Sequence, residues 1–184
     1  CKPKTTRTFT GVGAALGHLI RQYFLPIVAV IQTYNLAFEC AVGVNATSGS
    51  WGTFYKYITH FGKHRLADGD FGNYDKFVLA ILILAAFDIL IELVKDAPLG
   101  KMSTIMWAIA YSTSNPILVY QYLVIKLLNS LPSGHPLTVI LNSIVNSLLH
   151  RIAWCKSGYP LSDFNKLVRL LTYGDDSEVN ISEL

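Results

Sequence analysis

Two adjacent acids, Asp175 and Asp176, follow a glycine in the stretch TYGDDSEV. Carboxylates of like charge repel: two unit charges about 4 Å apart cost roughly 1 kcal/mol in water and about 4 kcal/mol at an effective dielectric of 20. A fold that holds two acids together is therefore expected to offset their repulsion with a positively charged partner. Taken alone, Gly-Asp-Asp is a common tripeptide, and Gly-Asp is also typical of a plain hairpin turn.

Two other polar segments interrupt an apolar background. The segment DGDFGNYD holds Asp70 and Asp75 in a D-x4-D spacing, and LPSGHPLTVILNS holds Thr138 and Asn142 four residues apart. Positions four apart share one face of a helix, so Thr138 and Asn142 predict a common polar face. Taken alone, a D-x4-D spacing is more often a surface loop than a site.

The elements that must position these residues follow from hydrophobic periodicity and turn residues. Helices are predicted over five segments: 12–38, 48–61, 76–94, 101–112 and 137–154. In the first of them, Pro26 predicts a kink or a new helix start. Strands are predicted at 64–71, at 117–128 as one or two strands, and at 167–173 and 177–181 as a hairpin with GDD at its turn. Helices and strands are interspersed, so the fold class is α/β or α+β.

The composition requires a test for membrane segments. Of the 184 residues, 52% are hydrophobic and 15% are charged, and the mean hydropathy is +0.39. The best candidate span, 78–94, is shorter than the roughly 20 residues that a spanning helix needs, and it contains Asp88 and Glu92. These two acids lie on one helical face, which favours a core helix with a solvent-exposed edge. No transmembrane span is expected.

Charge and cysteine usage exclude other classes. A net charge of +3 does not by itself indicate nucleic-acid binding. Three cysteines without a CxxC pair indicate neither a disulfide framework nor a zinc site, and they fit a reducing compartment. Because the chain begins at Cys1 and stops soon after the acidic turn, we expect it to be a fragment of a longer polypeptide. Alone, the fragment is expected to be inactive, and to be poorly soluble because it would expose apolar surface that is normally covered.

In their order along the chain, the polar segments resemble the catalytic motifs of viral RNA-dependent RNA polymerases, most closely the picornavirus-like branch. D-x4-D corresponds to motif A (68–77), SG-x3-T-x3-N to motif B (131–147) and YGDD to motif C (172–177). The opening KPKTTRTF resembles the tail of motif F of the fingers, and its arginine is Arg7. Several spaced elements in one order are a far more specific signal than any of them alone.

The resemblance implies phosphoryl transfer with two Mg²⁺ or Mn²⁺ ions, which stabilise the attacking and leaving oxygens. Asp70 and Asp175 would be the main metal ligands, with Asp176 in support, because Mg²⁺ prefers oxygen donors. His135 is expected to be structural or to contact the template strand, and Asp68 has no assigned role. The residues implied to bind the nucleotide, with Asp75 and Asn142 near its ribose, are Arg7, Asp75, Ser133, Gly134, Thr138 and Asn142.

The fold that the resemblance implies is α+β: a right-hand polymerase palm, an antiparallel sheet backed by helices, with part of the fingers and no thumb. Residues 1–62 would be derived from the fingers and residues 63–184 would form the palm core. The spacing of the motifs leaves room for the strand ends that carry Asp70 and Asp175 to lie side by side in one sheet.

The expected function is RNA-directed RNA polymerisation, the addition of ribonucleoside triphosphates to an RNA primer on an RNA template with release of pyrophosphate. Other viral replicase proteins are expected as partners, in membrane-associated replication complexes of the host cytoplasm. Two alternatives stay open: a reverse transcriptase, against which Asn142 argues because that position supports selection of ribonucleotides, and a polytopic membrane protein with accidental motifs.

Overall fold

The fold is taken from a computed structural model that describes residues 10–45, 47–72, 74, 78–127 and 129–183. Arg7 and Asp75, which the sequence predicts to bind the nucleotide, lie outside the described residues.

The elements of the described residues follow one another in mixed order. They are α1 (Ala14–Thr33), α2 (Ser50–Ile58), β1 (Leu66–Gly69), α3 (Ala80–Glu92), α4 (Ser103–Ser114), β2 (Ile117–Tyr120), β3 (Leu123–Lys126), α5 (Thr138–Lys156), α6 (Leu161–Leu167), β4 (Val168–Tyr173) and β5 (Asp176–Ile181). Mixed helices and antiparallel strands confirm the α+β class at this level.

A three-stranded antiparallel sheet with the order β1-β5-β4 positions the acidic segments. The hairpin β4–β5 closes at the pair Tyr173 and Asp176. On its other side, β5 pairs with β1 from Leu66 opposite Asn180 to Gly69 opposite Ser177. This register confirms the prediction that the strand ends carrying Asp70 and Asp175 lie beside each other.

The largest hydrophobic core lies between the helices. One face of α1 is buried at helical spacing through Ile20, Phe24, Ile27 and Ile31, and the ring of Phe24 meets that of Phe87 edge to face at 5.3 Å. This continuous apolar face explains why α1 runs through Pro26, although a proline removes one backbone hydrogen bond. The prediction of a new helix start at Pro26 is therefore wrong, and the helix ends at Thr33.

Glu39 joins the helices to the sheet. Its carboxylate accepts two hydrogen bonds from Arg151 of α5, at 2.7 and 2.9 Å, and one from the Ser147 hydroxyl at 2.7 Å. Its backbone oxygen accepts the Thr172 amide of β4 at 2.8 Å. Glu39 thus binds α5 through its carboxylate and β4 through its backbone, so it ties β4 to α5.

The sequence predicted the exposed edge of α3 but not the short helix α6. Asp88 and Glu92 are exposed on α3, whose other face is buried, as predicted. The short helix α6 was not predicted; it packs Phe164 against the ring of Trp154.

Among the described residues, only α1 is long and apolar enough to cross a membrane by length and composition. This is weak evidence for a membrane span, because the core helices of soluble proteins have the same length and composition.

Candidate active site

Three carboxylates converge at one end of the sheet. Asp70 directly follows β1, Asp175 lies in the turn of the hairpin β4–β5, and Asp176 is the first residue of β5. Because Gly69 lies opposite Ser177, the chain at Asp70 leaves the sheet beside this turn. Asp70 and Asp176 are exposed and Asp175 is half-buried, so all three acids stay accessible from solvent.

The turn itself depends on Gly174. Its φ is +67°, whereas Asp175 is not among the described residues with positive φ. A glycine with positive φ at the first of two central positions is the pattern of a type II′ hairpin turn. A Cβ on Gly174 would meet only the Val139 side chain, at an ordinary 3.7 Å. The backbone conformation, and not a lack of space, therefore favours glycine here.

The electrostatics of the site reflect the closeness of the acids. Desolvation, then the negative charges of Asp175 and Asp70, raise the pKa of Asp176 above its ordinary value. Burial and the charge of Asp175 likewise raise the pKa of Tyr74, so this phenol stays protonated. It donates a hydrogen bond to the backbone oxygen of Asn142 at 3.2 Å. The negative charge of Asp175 thus reaches the segment after β1 that carries Tyr74.

Gly69 leaves room for the Ser177 side chain just before Asp70. A Cβ at this position would lie 2.7 Å from the Ser177 hydroxyl, closer than real Cβ contacts, but at an ordinary 3.9 Å from the Ser177 backbone oxygen. A larger residue at position 69 would therefore displace the buried Ser177 side chain beside the strand end that leads to Asp70.

Two side chains of helix α5 that the sequence did not predict form hydrogen bonds with the backbone of the turn. The Ser143 hydroxyl accepts the Gly174 amide at 2.8 Å. The Asn146 amide donates to backbone oxygens of the turn at 3.1–3.3 Å. For Asn146 a signal was present, because it continues the four-residue spacing of Thr138 and Asn142 along α5.

The loop before α5 is joined to the segment that follows Arg7. The Thr10 amide donates to the Ser133 hydroxyl at 3.2 Å, and the Gly134 amide donates to the Thr10 oxygen at 2.9 Å. Residues Gly11 and Gly134 form a parallel bridge. Two predicted nucleotide-binding residues, Ser133 and Gly134, therefore lie beside the chain that leads back to a third, Arg7, which is outside the described residues.

Thr138 and Asn142 lie on α5 as predicted, but they have different surroundings. The Thr138 hydroxyl is 2.8 Å from the backbone oxygens of both Pro132 and His135, so it closes the loop that precedes the helix. Asn142 is buried, and its side-chain oxygen has no hydrogen-bond partner among the described residues. The predicted role of both residues in nucleotide binding stays a prediction.

His135 is a structural residue in this arrangement. It is 4% exposed, and its Nδ1 accepts the Leu137 amide at 3.1 Å. The proton of the neutral ring must then be on Nε2, which lies 3.0 Å from the Thr113 hydroxyl. Both ring nitrogens are therefore used inside the protein, which agrees with the structural role that we expected.

The acids offer oxygen donors, the ligand type that Mg²⁺ and Mn²⁺ prefer. Asp175 and Asp70 both raise the pKa of Asp176, after desolvation, so the three acids lie within electrostatic reach of one another. In the described ranges, no three His, Cys, Asp or Glu side chains are already grouped tightly enough to hold a metal ion. Carboxylates without a counter-charge repel, and a bound divalent cation would offset that repulsion.

Comparison with known proteins identifies the family. A family model described as viral RNA-dependent RNA polymerase matches residues 2–184. The chain is 32% identical over 186 residues to the genome polyprotein of Deformed wing virus, with 98% of the chain covered. It is 31% identical to the replicase polyprotein of Drosophila C virus, with 96% of the chain covered. It is 30% identical to the RNA1 polyprotein of Cherry rasp leaf virus, with 100% of the chain covered.

These relatives are far longer than the chain. It spans 6% of the Deformed wing virus polyprotein, 11% of that of Drosophila C virus and 9% of that of Cherry rasp leaf virus. Among the alternatives left open by the sequence, the match supports the RNA-dependent RNA polymerase and neither the reverse transcriptase nor the polytopic membrane protein.

The buried His135 predicts a pH dependence of stability. Burial lowers its pKa to about 4, whereas an unfolded histidine titrates near 6.5. The unfolded state therefore binds a proton first, and the contribution of His135 to stability is complete above about pH 6.5 and lost as the pH falls towards 4. Between pH 7 and pH 4.5, the free energy of unfolding of the longer protein that contains this chain should fall by about 2–3 kcal/mol more than that of its His135→Asn variant, measured by urea unfolding. Parallel pH profiles of the two proteins would contradict this assignment.

Proposed function

Because the chain belongs to the family of viral RNA-dependent RNA polymerases, we propose that the longer protein that contains it is an RNA-directed RNA polymerase. It adds ribonucleoside triphosphates to the 3′-hydroxyl of an RNA primer, directed by an RNA template, and releases pyrophosphate. The convergence of Asp70, Asp175 and Asp176 at one end of the sheet is the observation that carries this proposal.

We propose that Asp70 and Asp175 hold two Mg²⁺ or Mn²⁺ ions, with Asp176 in support. When bound, such ions would favour deprotonation of the attacking 3′-hydroxyl and stabilise the negative charge on the leaving pyrophosphate. The protein supplies ligands from two strands whose register is fixed by the pairing of Gly69 with Ser177. Gly174 presents the two acids of the turn, and neutralisation of their repulsion favours the bound state.

The architecture supports the assignment of the two parts of the chain. We propose that residues 63–184, which hold the sheet and α5, form the palm core, and that residues 1–62 derive from the fingers. The hydrogen bonds between Thr10 and the loop at Ser133 and Gly134 would bring the two parts together at the incoming nucleotide. There Arg7, whose guanidinium matches phosphate oxygens in a fork, would bind the triphosphate.

We propose that Asn142, together with Asp75, senses the ribose 2′-hydroxyl. The side-chain oxygen of Asn142 is buried without a hydrogen-bond partner among the described residues. A buried acceptor that lacks a donor costs about 1–3 kcal/mol. A hydroxyl that reaches this oxygen after neighbouring side chains move apart would recover that free energy, whereas a deoxyribose could not.

The polymerase proposal is tested by Asp175→Asn in the longer protein. Replacing a charged ligand by a neutral amide should lower the rate of nucleotide addition at saturating Mg²⁺ by about a hundredfold or more. RNA binding depends mainly on phosphate contacts and should persist. Asp88→Asn, which alters an exposed acid of α3, is the matched control and should retain wild-type rates. Near-normal polymerisation by Asp175→Asn would refute the assignment.

The ribose proposal is tested by Asn142→Ala in the same protein. The ratio of ribonucleotide to deoxyribonucleotide incorporation efficiency should fall by roughly 5- to 150-fold, the equivalent of 1–3 kcal/mol. The loss should come from the ribonucleotide, with the deoxyribonucleotide as the internal control. Equal losses for both substrates would mean that Asn142 supports folding or general binding.

A further inference from the structure

The turn that carries Asp175 and Asp176 is held by α5 as well as by its own strands. The Nδ2 atom of Asn146 lies 3.3, 3.1 and 3.2 Å from the backbone oxygens of Gly174, Asp175 and Asp176, respectively. From one turn earlier on the helix, the Ser143 hydroxyl accepts the Gly174 amide at 2.8 Å. Four backbone groups of the turn thus face two side chains of one helix.

The orientation of the Asn146 amide is determined by these contacts. Its NH₂ group has two hydrogens for three acceptors, so the bonds are shared. The reversed amide would place an oxygen against three carbonyl oxygens, which would repel it. In the observed orientation, the Asn146 side-chain oxygen is buried with no hydrogen-bond partner among the described residues.

An unpaired buried acceptor is costly, and Asn146 is fully buried. The hairpin does not need this residue to close, because Tyr173 and Asp176 already pair across its end. The contacts with Asn146 instead fix the peptide groups on both sides of Asp175 and the oxygen of Asp176. The orientation of these peptide groups determines the direction in which the two carboxylates project.

We propose that Asn146, assisted by Ser143, is a positioning residue for the metal-binding carboxylates of Asp175 and Asp176. The inference rests on the polymerase function proposed above. By holding the turn in one conformation before any cation binds, Asn146 reduces the ordering that metal binding requires. It acts through the backbone and does not itself contact the metal ions or the nucleotide.

This role separates Asn146 from Asn142, although the two residues lie one helical turn apart. Asn142 is proposed to affect the choice of sugar, whereas Asn146 affects the affinity for metal. A purely structural asparagine would affect neither property. The chain contains such a residue: Asn180 of β5 is also fully buried, and it bonds the Phe61 amide and the Gly62 oxygen, each at 2.8 Å.

The experiment compares Asn146→Ala with the matched control Asn180→Ala in the longer polymerase. Mn²⁺ binding without nucleotide is measured by electron paramagnetic resonance, and the Mg²⁺ dependence of primer extension and thermal unfolding are measured in parallel. Loss of the shared hydrogen bonds should raise the half-saturating Mn²⁺ and Mg²⁺ concentrations by about threefold to tenfold. The ribonucleotide preference should stay within about twofold of wild type.

The control separates positioning from stability. Asn180→Ala should lower the unfolding temperature to a comparable extent and leave the metal dependence unchanged. Unchanged metal affinity in Asn146→Ala, or the same change in both variants, would overturn the proposal. If Asn146→Ala does not fold, Ser143→Ala removes the acceptor of the Gly174 amide and should raise the metal requirement in the same direction; an unchanged requirement there would also overturn it. A wild-type protein that does not extend primers would refute the polymerase function, and Mn²⁺ binding would still test Asn146.

Discussion

Repulsion among the carboxylates of Asp70, Asp175 and Asp176 is the constraint that the surrounding structure must offset. The acids come from two places in the chain, and the antiparallel register of β1 with β5 brings them to one sheet end. Gly69 leaves room for the Ser177 side chain, and Gly174 permits the turn. Side chains of α5 then hold the turn through backbone groups, so the site leaves its carboxylates accessible while their supports are buried.

Helix α5 connects the functions assigned to the site. Its first turn closes the Ser133–Gly134 loop, its second carries Asn142, and Asn146 lies one turn further along. Near its C-terminal end, Arg151 forms the ion pair with Glu39 that also fixes β4. A shift of this helix would therefore displace the loop, the ribose-sensing residue and the acidic turn together. This shared support explains why the buried side of this long helix includes polar residues.

Much of the fold was predictable because its signals are local. The hairpin around GDD, the helix after PSGHP and the exposed acids of α3 follow from periodicity and turn residues, and the motif order predicted that Asp70 would meet the turn. The Glu39–Arg151 pair and the contacts of Ser143 and Asn146 join segments far apart in sequence, and no local pattern specifies such partners. Helix α6 was missed because it is one of the shortest helices and directly precedes a strand. The spacing of Thr138 and Asn142 continues to Asn146, and the sequence prediction did not use that continuation.

The central claim is that strand register brings Asp70 and Asp175 together to share divalent cations. The most direct test is anomalous diffraction from crystals of the longer polymerase that contain Mn²⁺, RNA and an incoming nucleotide. Two manganese peaks are expected, with carboxylate oxygens of both Asp70 and Asp175 as ligands. Manganese bound at only one of the two strands, or at a site remote from the turn at Gly174, would contradict it.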